Sequence, residues 1–230
     1  MNMFEICHSL KNQFGPENWC RYRGMHLLSF VDNHDVSRIA SVLANEKHLS
    51  LVYALMFGMP GIPCVYYGSE WGTKADKSQG APALRVSFEK PEWNELTDWI
   101  SKLAKAHRES KALCHGALKV PVLTNKQCIV EREFEGERVF VAVNADDRPF
   151  TAHFDAGCGR AVDLITGEWH DFGGGSDGET QWSTNSPGNL AYTSAEQFPD
   201  AEEVASYAPY AAISRIWVKR GEYNFESFND

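Results

Sequence analysis

The sequence predicts an α/β region over residues 1–113, followed by an all-β region, an antiparallel β-sandwich, over residues 114–230. In the first region short apolar runs alternate with helical patterns, which is typical of parallel βα units. In the second region apolar and polar residues alternate, and turn residues recur at intervals of about ten positions. The composition, with 43% hydrophobic and 23% charged residues, is that of a globular protein with packed cores.

Two apolar runs in the α/β region have the length of strands and no polar alternation, which predicts strands buried on both faces. In the last helix of this region, Leu96, Trp99, Ile100 and Leu103 repeat at helical spacing and form one apolar face. The predicted order is a helix at 3–14, a strand at 26–31, helices at 36–43 and 49–57, a strand at 62–67, a long loop at 68–90 and a helix at 91–109.

The all-β region contains five period-two segments and a closing strand. A hairpin turn is predicted at 134–137, where Glu135 and Gly136 stand between two of these segments. Residues 173–189 are rich in Gly, Ser and Asn, which predicts a surface loop. The predicted strands are 117–124, 128–134, 138–145, 149–155, 160–166 and 210–219.

The net charge limits the possible binding partners, and the cysteine pattern indicates the redox environment. The net charge of -9 disfavours nucleic acid and anionic membrane surfaces, which carry the same sign. The six cysteines are scattered without a Cys-x-x-Cys pair, so we expect reduced thiols and a cytoplasmic protein. No signal peptide is recognisable at the N-terminus. The uncharged run 49–69 is long enough to span a bilayer, but its clustered Gly and Pro residues predict a helix, a turn and a strand instead.

Polar residues whose side chains can bind a ligand or take part in catalysis follow the first predicted strand. The string Asp32-Asn33-His34-Asp35 comes directly after it, and Arg38 follows one helical turn beyond Asp35. Parallel βα architectures place reactive side chains at this end of their strands. A carboxylate there can accept hydrogen bonds from sugar hydroxyls and stabilise positive charge, and the imidazole can donate a second hydrogen bond to the same ligand.

This string resembles the last of the short signature motifs of the α-amylase family of glycoside hydrolases. Residues 61–70, with the sequence GIPCVYYGSE, resemble that family's eighth barrel strand and the loop after it. The resemblance in sequence covers about residues 20–110. The remaining residues resemble the family only in their predicted architecture. It implies that residues 1–113 form the C-terminal portion of a (β/α)8 TIM barrel and that residues 114–230 form a C-terminal β-domain.

The resemblance also implies a function, a retaining mechanism on the α-glucosidic bonds of starch-like glucans or maltooligosaccharides. Asp35 matches the carboxylate that stabilises the transition state, and His34 matches the histidine that contacts the sugar beside it. Asn33, Arg38 and Tyr67 complete the expected substrate-binding set. Arg38 is expected to support the site and not to contact the sugar directly.

The chain departs from the family pattern upstream of the motif. Nothing before Asn33 resembles the segments that carry the nucleophile, the general acid and the calcium ligands. We therefore expect the C-terminal portion of a larger enzyme, inactive alone, with no cofactor of its own and with calcium possible only in the longer parent. Its expected partners are a glucan, the N-terminal barrel portion and, through exposed barrel edges, a second copy.

Other interpretations stay open. Asp35 and His34 can be a helix cap beside a structural histidine, or a metal-binding dyad. The protein can be a non-catalytic carbohydrate-binding accessory, or a transglycosylase or isomerase of the same family. Trp169, Trp182 and Trp217 are candidates for a sugar-stacking platform.

Overall fold

The structure is a computed structural model. It describes residues 2–91, 93–156 and 160–171, together with the strands at 173–174, 180–186, 189–192 and 214–219.

Helices dominate the first half of the chain. Helix α1 fills the range predicted for it, and Asn2 caps it by accepting a hydrogen bond from the Phe4 amide. Three short 3-10 turns lie at Glu46–His48, Ser69–Trp71 and Lys77–Gln79. The other elements are α1 (Met3–Phe14), β1 (Leu28–Ser29), α2 (Ile39–Val42), α3 (Leu49–Gly58), β2 (Ile62–Pro63), α4 (Ala81–Leu84), α5 (Glu95–Glu109) and α6 (Lys111–His115).

Strands β1 and β2 pair in parallel, with Leu28 opposite Ile62, as the alternating pattern predicts. Each strand is only two residues long, shorter than the predicted runs 26–31 and 62–67. A strand extends only as far as it has hydrogen-bonding partners, and among the described residues these two strands pair only with each other. The prediction that both strands are fully buried is wrong, because Leu28 and Ile62 are 59% and 55% exposed.

Two further predictions in this half need correction. The helix predicted at 36–43 begins only at Ile39, because Asp32 accepts the hydrogen bond of the Ile39 amide and leaves residues 33–38 in a loop. The segment 68–90 is not a plain loop, since it contains two 3-10 turns and α4. Asp76 and Gln79 form a capping box that stabilises one of these turns, a local signal that composition alone does not reveal.

The second half forms two antiparallel sheets. The six-stranded sheet has the order β3-β4-β5-β12-β7-β8, and the four-stranded sheet joins β6, β9, β10 and β11. Glu135 and Gly136, both with positive φ, turn the chain between β4 and β5, which confirms the predicted hairpin. The strands are β3 (Ala117–Leu123), β4 (Gln127–Phe134), β5 (Glu137–Asn144), β6 (Thr151–Phe154), β7 (Arg160–Asp163), β8 (Trp169–Asp171), β9 (Gly173–Gly174), β10 (Thr180–Ser186), β11 (Asn189–Tyr192) and β12 (Ser214–Lys219).

One hydrophobic core joins the helices to the six-stranded sheet. Side chains of α1, α3, α5 and α6 pack with one face of β3, β4 and β5 in a single cluster. Arg132 of β4 reinforces the contact, because its guanidinium donates to the carbonyls of Gly58 and Gly116 at 3.1 and 2.8 Å. The helices of the first half thus bury their apolar faces against the β-sheet of the second half.

The other face of this sheet has a smaller core. Ala152 and Phe154 of β6 pack there against Ile129, Phe140 and Ala142. A complete β-sandwich over residues 114–230 remains a prediction. The surface loop predicted at 173–189 is interrupted by β9 and β10, since the backbone there pairs with neighbouring strands. The side chains of Trp182 and Trp217 lie outside the described part of the chain.

Two findings concern the expected environment. Within the described ranges, no helix has both the length and the apolar character needed to cross a membrane. The cysteines of the described part are free thiols, namely Cys7, Cys20, Cys64, Cys114 and Cys128.

Candidate functional site

The loop that follows β1 presents Asp35 to solvent. The Asp35 amide donates to the Asn33 side chain at 2.7 Å, a local turn that fixes the backbone of the loop. The Asp35 side chain is 67% exposed, and two nitrogen-bearing side chains face it: His34 Nε2 lies 3.3 Å from Oδ2 and Arg85 Nη2 lies 3.7 Å from Oδ1. The carboxylate is thus accessible and is flanked by groups that can hydrogen-bond a common ligand.

Arg38 points the other way, into the protein, and is fully buried. Its guanidinium donates to the Tyr67 carbonyl at 2.7 Å, to the Ser69 hydroxyl at 2.8 Å and to the Leu84 carbonyl at 3.0 Å. It also lies 4.1 Å from the centre of the Tyr66 ring, a cation–π contact. These contacts support the loop from its interior side, and the guanidinium has no solvent-facing surface.

Asp32 and Ser69 complete this buried network. The Ser69 hydroxyl donates to the Asp32 carboxylate, with oxygen distances of 2.8 and 2.9 Å. The Ile39 amide donates to the same carboxylate at 2.8 Å, and the Tyr53 hydroxyl donates to the Ser69 carbonyl at 3.3 Å. Burial raises the pKa of Tyr53, so this phenol stays a hydrogen-bond donor.

Aromatic rings line the chain segment that follows β2. The rings of Tyr66 and Tyr67 meet edge to face at 4.7 Å, and Phe88 lies 5.9 Å from Tyr67. The His34 ring lies 6.2 Å from Tyr66, which links this aromatic group to the Asp35 loop. Tyr67 is 44% exposed, so part of this residue is accessible to a ligand.

The predicted site residues therefore fall into three places. Asn33, His34 and Asp35 share one loop, Tyr67 lies after the neighbouring strand, and Arg38 lies in the interior. The roles assigned to these residues remain predictions.

Sequence reasoning did not single out Asp32, Ser69 or Arg85. Asp32 and Ser69 both lie in the motif strings, and their burial is the signal that was missing. Arg85 stands in a segment predicted to be a loop, and only the folded chain brings it to Asp35. In the described part of the chain, no group of three or more His, Cys, Asp or Glu side chains gathers as metal ligands.

Comparison with known families identifies the region that contains this site. The family model described as "Alpha amylase, catalytic domain" matches residues 7–116. A cyclomaltodextrin glucanotransferase from Niallia circulans is 29% identical over 159 residues, which cover 69% of this chain and 21% of that protein. An alpha-amylase from the same organism is 30% identical over 117 residues, which cover 51% of this chain and 22% of that protein. The chain spans about a fifth to a quarter of the length of such relatives.

Solved structures show the same fold. CldA, described as a cyclomaltodextrin glucanotransferase with a three-domain ABC distribution, aligns with a TM-score of 0.65 and 19% identity, over 93% of this chain and 43% of its own. An Anoxybacillus alpha-amylase aligns with a TM-score of 0.62 and 21% identity, over 85% of this chain and 39% of its own. Residues 7–116 therefore correspond to part of the catalytic domain of the alpha-amylase family of glycoside hydrolases.

Proposed function

We propose that the chain takes part in a retaining reaction at the α-glucosidic bonds of starch-like oligosaccharides, with Asp35 as the carboxylate that stabilises the transition state. One observation carries this proposal. In the segment matched by the catalytic-domain family, Asp35 stands exposed at the carboxyl end of a parallel strand, between His34 and Arg85.

The chemistry follows from the charge of the reacting sugar. In a retaining reaction, one carboxylate attacks the anomeric carbon while a carboxylic acid protonates the leaving oxygen, and the sugar ring acquires positive charge in between. The Asp35 carboxylate can accept hydrogen bonds from ring hydroxyls and stabilise that charge. The His34 imidazole can bind the same sugar ring, while Tyr67 offers an exposed aromatic surface on which a sugar can stack.

The proposal includes a partner for the barrel edge. Leu28 and Ile62 are more than half exposed, and within the part of the chain that the structure describes, β1 and β2 pair only with each other. Unpaired strand edges of this kind are sites where further strands add. We propose that the remaining barrel strands, with the nucleophile and the general acid, occupy these edges in the functional enzyme.

A turnover assay tests the expected dependence on other strands. The purified chain, incubated with maltodextrin or a chromogenic maltoside, should give no product above a control preparation of an Asp35→Asn variant. Turnover by the wild-type chain would contradict the expectation that further carboxylates are needed.

A binding assay tests the role of Asp35 directly. Titration of the chain with maltoheptaose, followed by NMR, should shift the amide signals of the loop 33–37. Asp35→Asn should weaken binding about tenfold, the usual scale for a lost hydrogen bond to a charged group. Asp98→Asn, a change on the exposed side of α5, is the matched control and should bind like the wild type. Equal binding by Asp35→Asn and the wild type would exclude Asp35 from the sugar site.

Glycosyl transfer is a second candidate, supported by the cyclomaltodextrin glucanotransferases among the relatives. Transfer and hydrolysis share the covalent intermediate and differ in whether sugar or water attacks it. Product analysis of the complete enzyme distinguishes them, because transfer yields new α-glucans and hydrolysis yields shorter ones. A third candidate, a binding accessory without chemistry, predicts maltoheptaose binding and no turnover even when the remaining strands are supplied.

A further inference from the structure

A buried charged residue stands at each end of the loop that carries Asp35. Asp32 precedes it and is 1% exposed, while Arg38 ends it and is fully buried. Between them, residues 33–37 form a loop whose side chains are mostly exposed. The two charged residues thus mark the points where the loop leaves and re-enters the interior.

The Ser69 hydroxyl lies between these two charges. It accepts a hydrogen bond from Arg38 Nη1 at 2.8 Å and donates to the Asp32 carboxylate at 2.8–2.9 Å. A hydroxyl is suited to this place because it can accept from a cation and donate to an anion at the same time. Ser69 itself is 2% exposed and comes from the segment after β2, not from the loop.

Because Asp32 and Arg38 are buried, the loss of any of these hydrogen bonds costs free energy. A buried carboxylate or guanidinium costs several kcal/mol unless its hydrogen bonds are satisfied. Because the Ser69 hydroxyl serves both charges, its loss would leave each of them with one partner fewer. Asp32 would keep the Ile39 amide, and Arg38 would keep the carbonyls of Tyr67 and Leu84.

We propose that Ser69 is a positioning residue for the sugar site. Its hydroxyl ties the two ends of the loop 33–37 to the segment after β2 and thereby fixes the Asp35 carboxylate. The same connection sets the distance between Asp35 and the exposed ring of Tyr67, two residues before Ser69 in the chain. The inference rests on the proposed function for its consequence in sugar binding, whereas the geometric claim stands on the network itself.

Hydrogen exchange measured by NMR on the full chain tests the geometric claim. In Ser69→Ala, the amides of Asp35, Arg38 and Ile39 should exchange about tenfold faster, the scale expected for one lost hydrogen bond to a charged group. Amides in the middle of β5 report on global unfolding and should change much less. Ser69→Thr retains a hydroxyl and should restore slow exchange. Ser87→Ala, at an exposed serine, is the matched control.

The exchange data decide the geometric claim on their own. Unchanged exchange in the loop, equal acceleration in the loop and in β5, or failure of Ser69→Thr to restore slow exchange would each overturn it. If Ser69→Ala does not fold, Asp32→Asn replaces it, since this change keeps the side-chain size and removes the charge that Ser69 serves.

Maltoheptaose titration of the same variants tests the consequence. Ser69→Ala should weaken binding about tenfold and Ser69→Thr should restore it, on the same hydrogen-bond scale. Absence of binding by the wild-type chain would refute the sugar site and leave the exchange result to stand. Normal binding by Ser69→Ala together with faster loop exchange would refute the link between loop order and sugar binding.

Discussion

At the scale of single residues, two buried arginines are stabilised in different ways. Arg38 reaches the carboxylate of Asp32 through the Ser69 hydroxyl, so a negative charge lies close to it. Arg132 donates instead to the carbonyls of Gly58 and Gly116, and burial lowers its pKa to about 10. The Arg132 guanidinium remains charged at neutral pH, and both arginines connect chain segments that are distant in sequence.

We expect Arg38→Lys to lower the free energy of unfolding by about 2–4 kcal/mol, the range for disrupting a buried charged network. Lysine keeps the charge, but one ammonium cannot reach the Tyr67 carbonyl, the Ser69 hydroxyl and the Leu84 carbonyl with the planar geometry of a guanidinium. Urea denaturation measures the change. Arg21→Lys, at an exposed position, is the matched control, and an equal stability of the two variants would contradict the role given to Arg38.

At the scale of elements, the prediction of helices from the sequence depended on whether local signals or distant contacts define their ends. Helix α1 has its own cap and apolar face, so its range was predicted correctly. Helix α2 begins where Asp32 captures the Ile39 amide, a contact that no local pattern encodes. The site divides in the same way, because the Asp35 string was readable in the sequence, whereas the partnership of Asp32, Ser69 and Arg38 exists only in the folded chain.

Helix α5 docks on α3 through a histidine whose titration gives a pH dependence. His107 Nδ1 lies 2.8 Å from the Phe57 carbonyl, and burial lowers the pKa of His107 below its ordinary 6.5. As the pH falls through 6.5, the unfolded chain therefore takes up a proton before the folded chain does, and stability falls.

We expect the free energy of unfolding to decrease as the pH is lowered from about 7.5 to about 5.5, on the ordinary titration range of histidine. His107→Asn, whose amide can donate to the Phe57 carbonyl without titrating, should show a weaker decrease. Urea denaturation at several pH values makes the comparison. Parallel pH profiles of the two proteins would show that His107 does not contribute.

At the scale of the whole molecule, the helices and the six-stranded sheet share one core. Gly58, at the end of α3, lies against Val141 of β5 so closely that an added Cβ would stand 2.8 Å from a Val141 methyl group. This approach allows the carbonyl of Gly58 to meet Arg132. The boundary expected between residues 113 and 114 thus divides the sequence without dividing this core.

We expect Gly58→Ala to destabilise the protein by about 1–3 kcal/mol, the range for overpacking. In an unobstructed helix the same change would stabilise by up to about 1 kcal/mol, so the sign of the effect reports on the contact. Thermal denaturation measures it. The double variant with Val141→Ala should be less sensitive to the glycine change, and simple additivity of the two substitutions would argue against direct contact.

The exposed edge of the β1–β2 pair has a consequence for how copies of the protein behave in solution. Its apolar side chains favour association between copies, whereas a net charge of -9 on each copy opposes it. Added salt weakens only the repulsion, because the screening length shrinks from about 10 Å at 0.1 M to about 3 Å at 1 M. Light scattering should therefore register larger particles as sodium chloride is raised, and Leu28→Asp should suppress that growth.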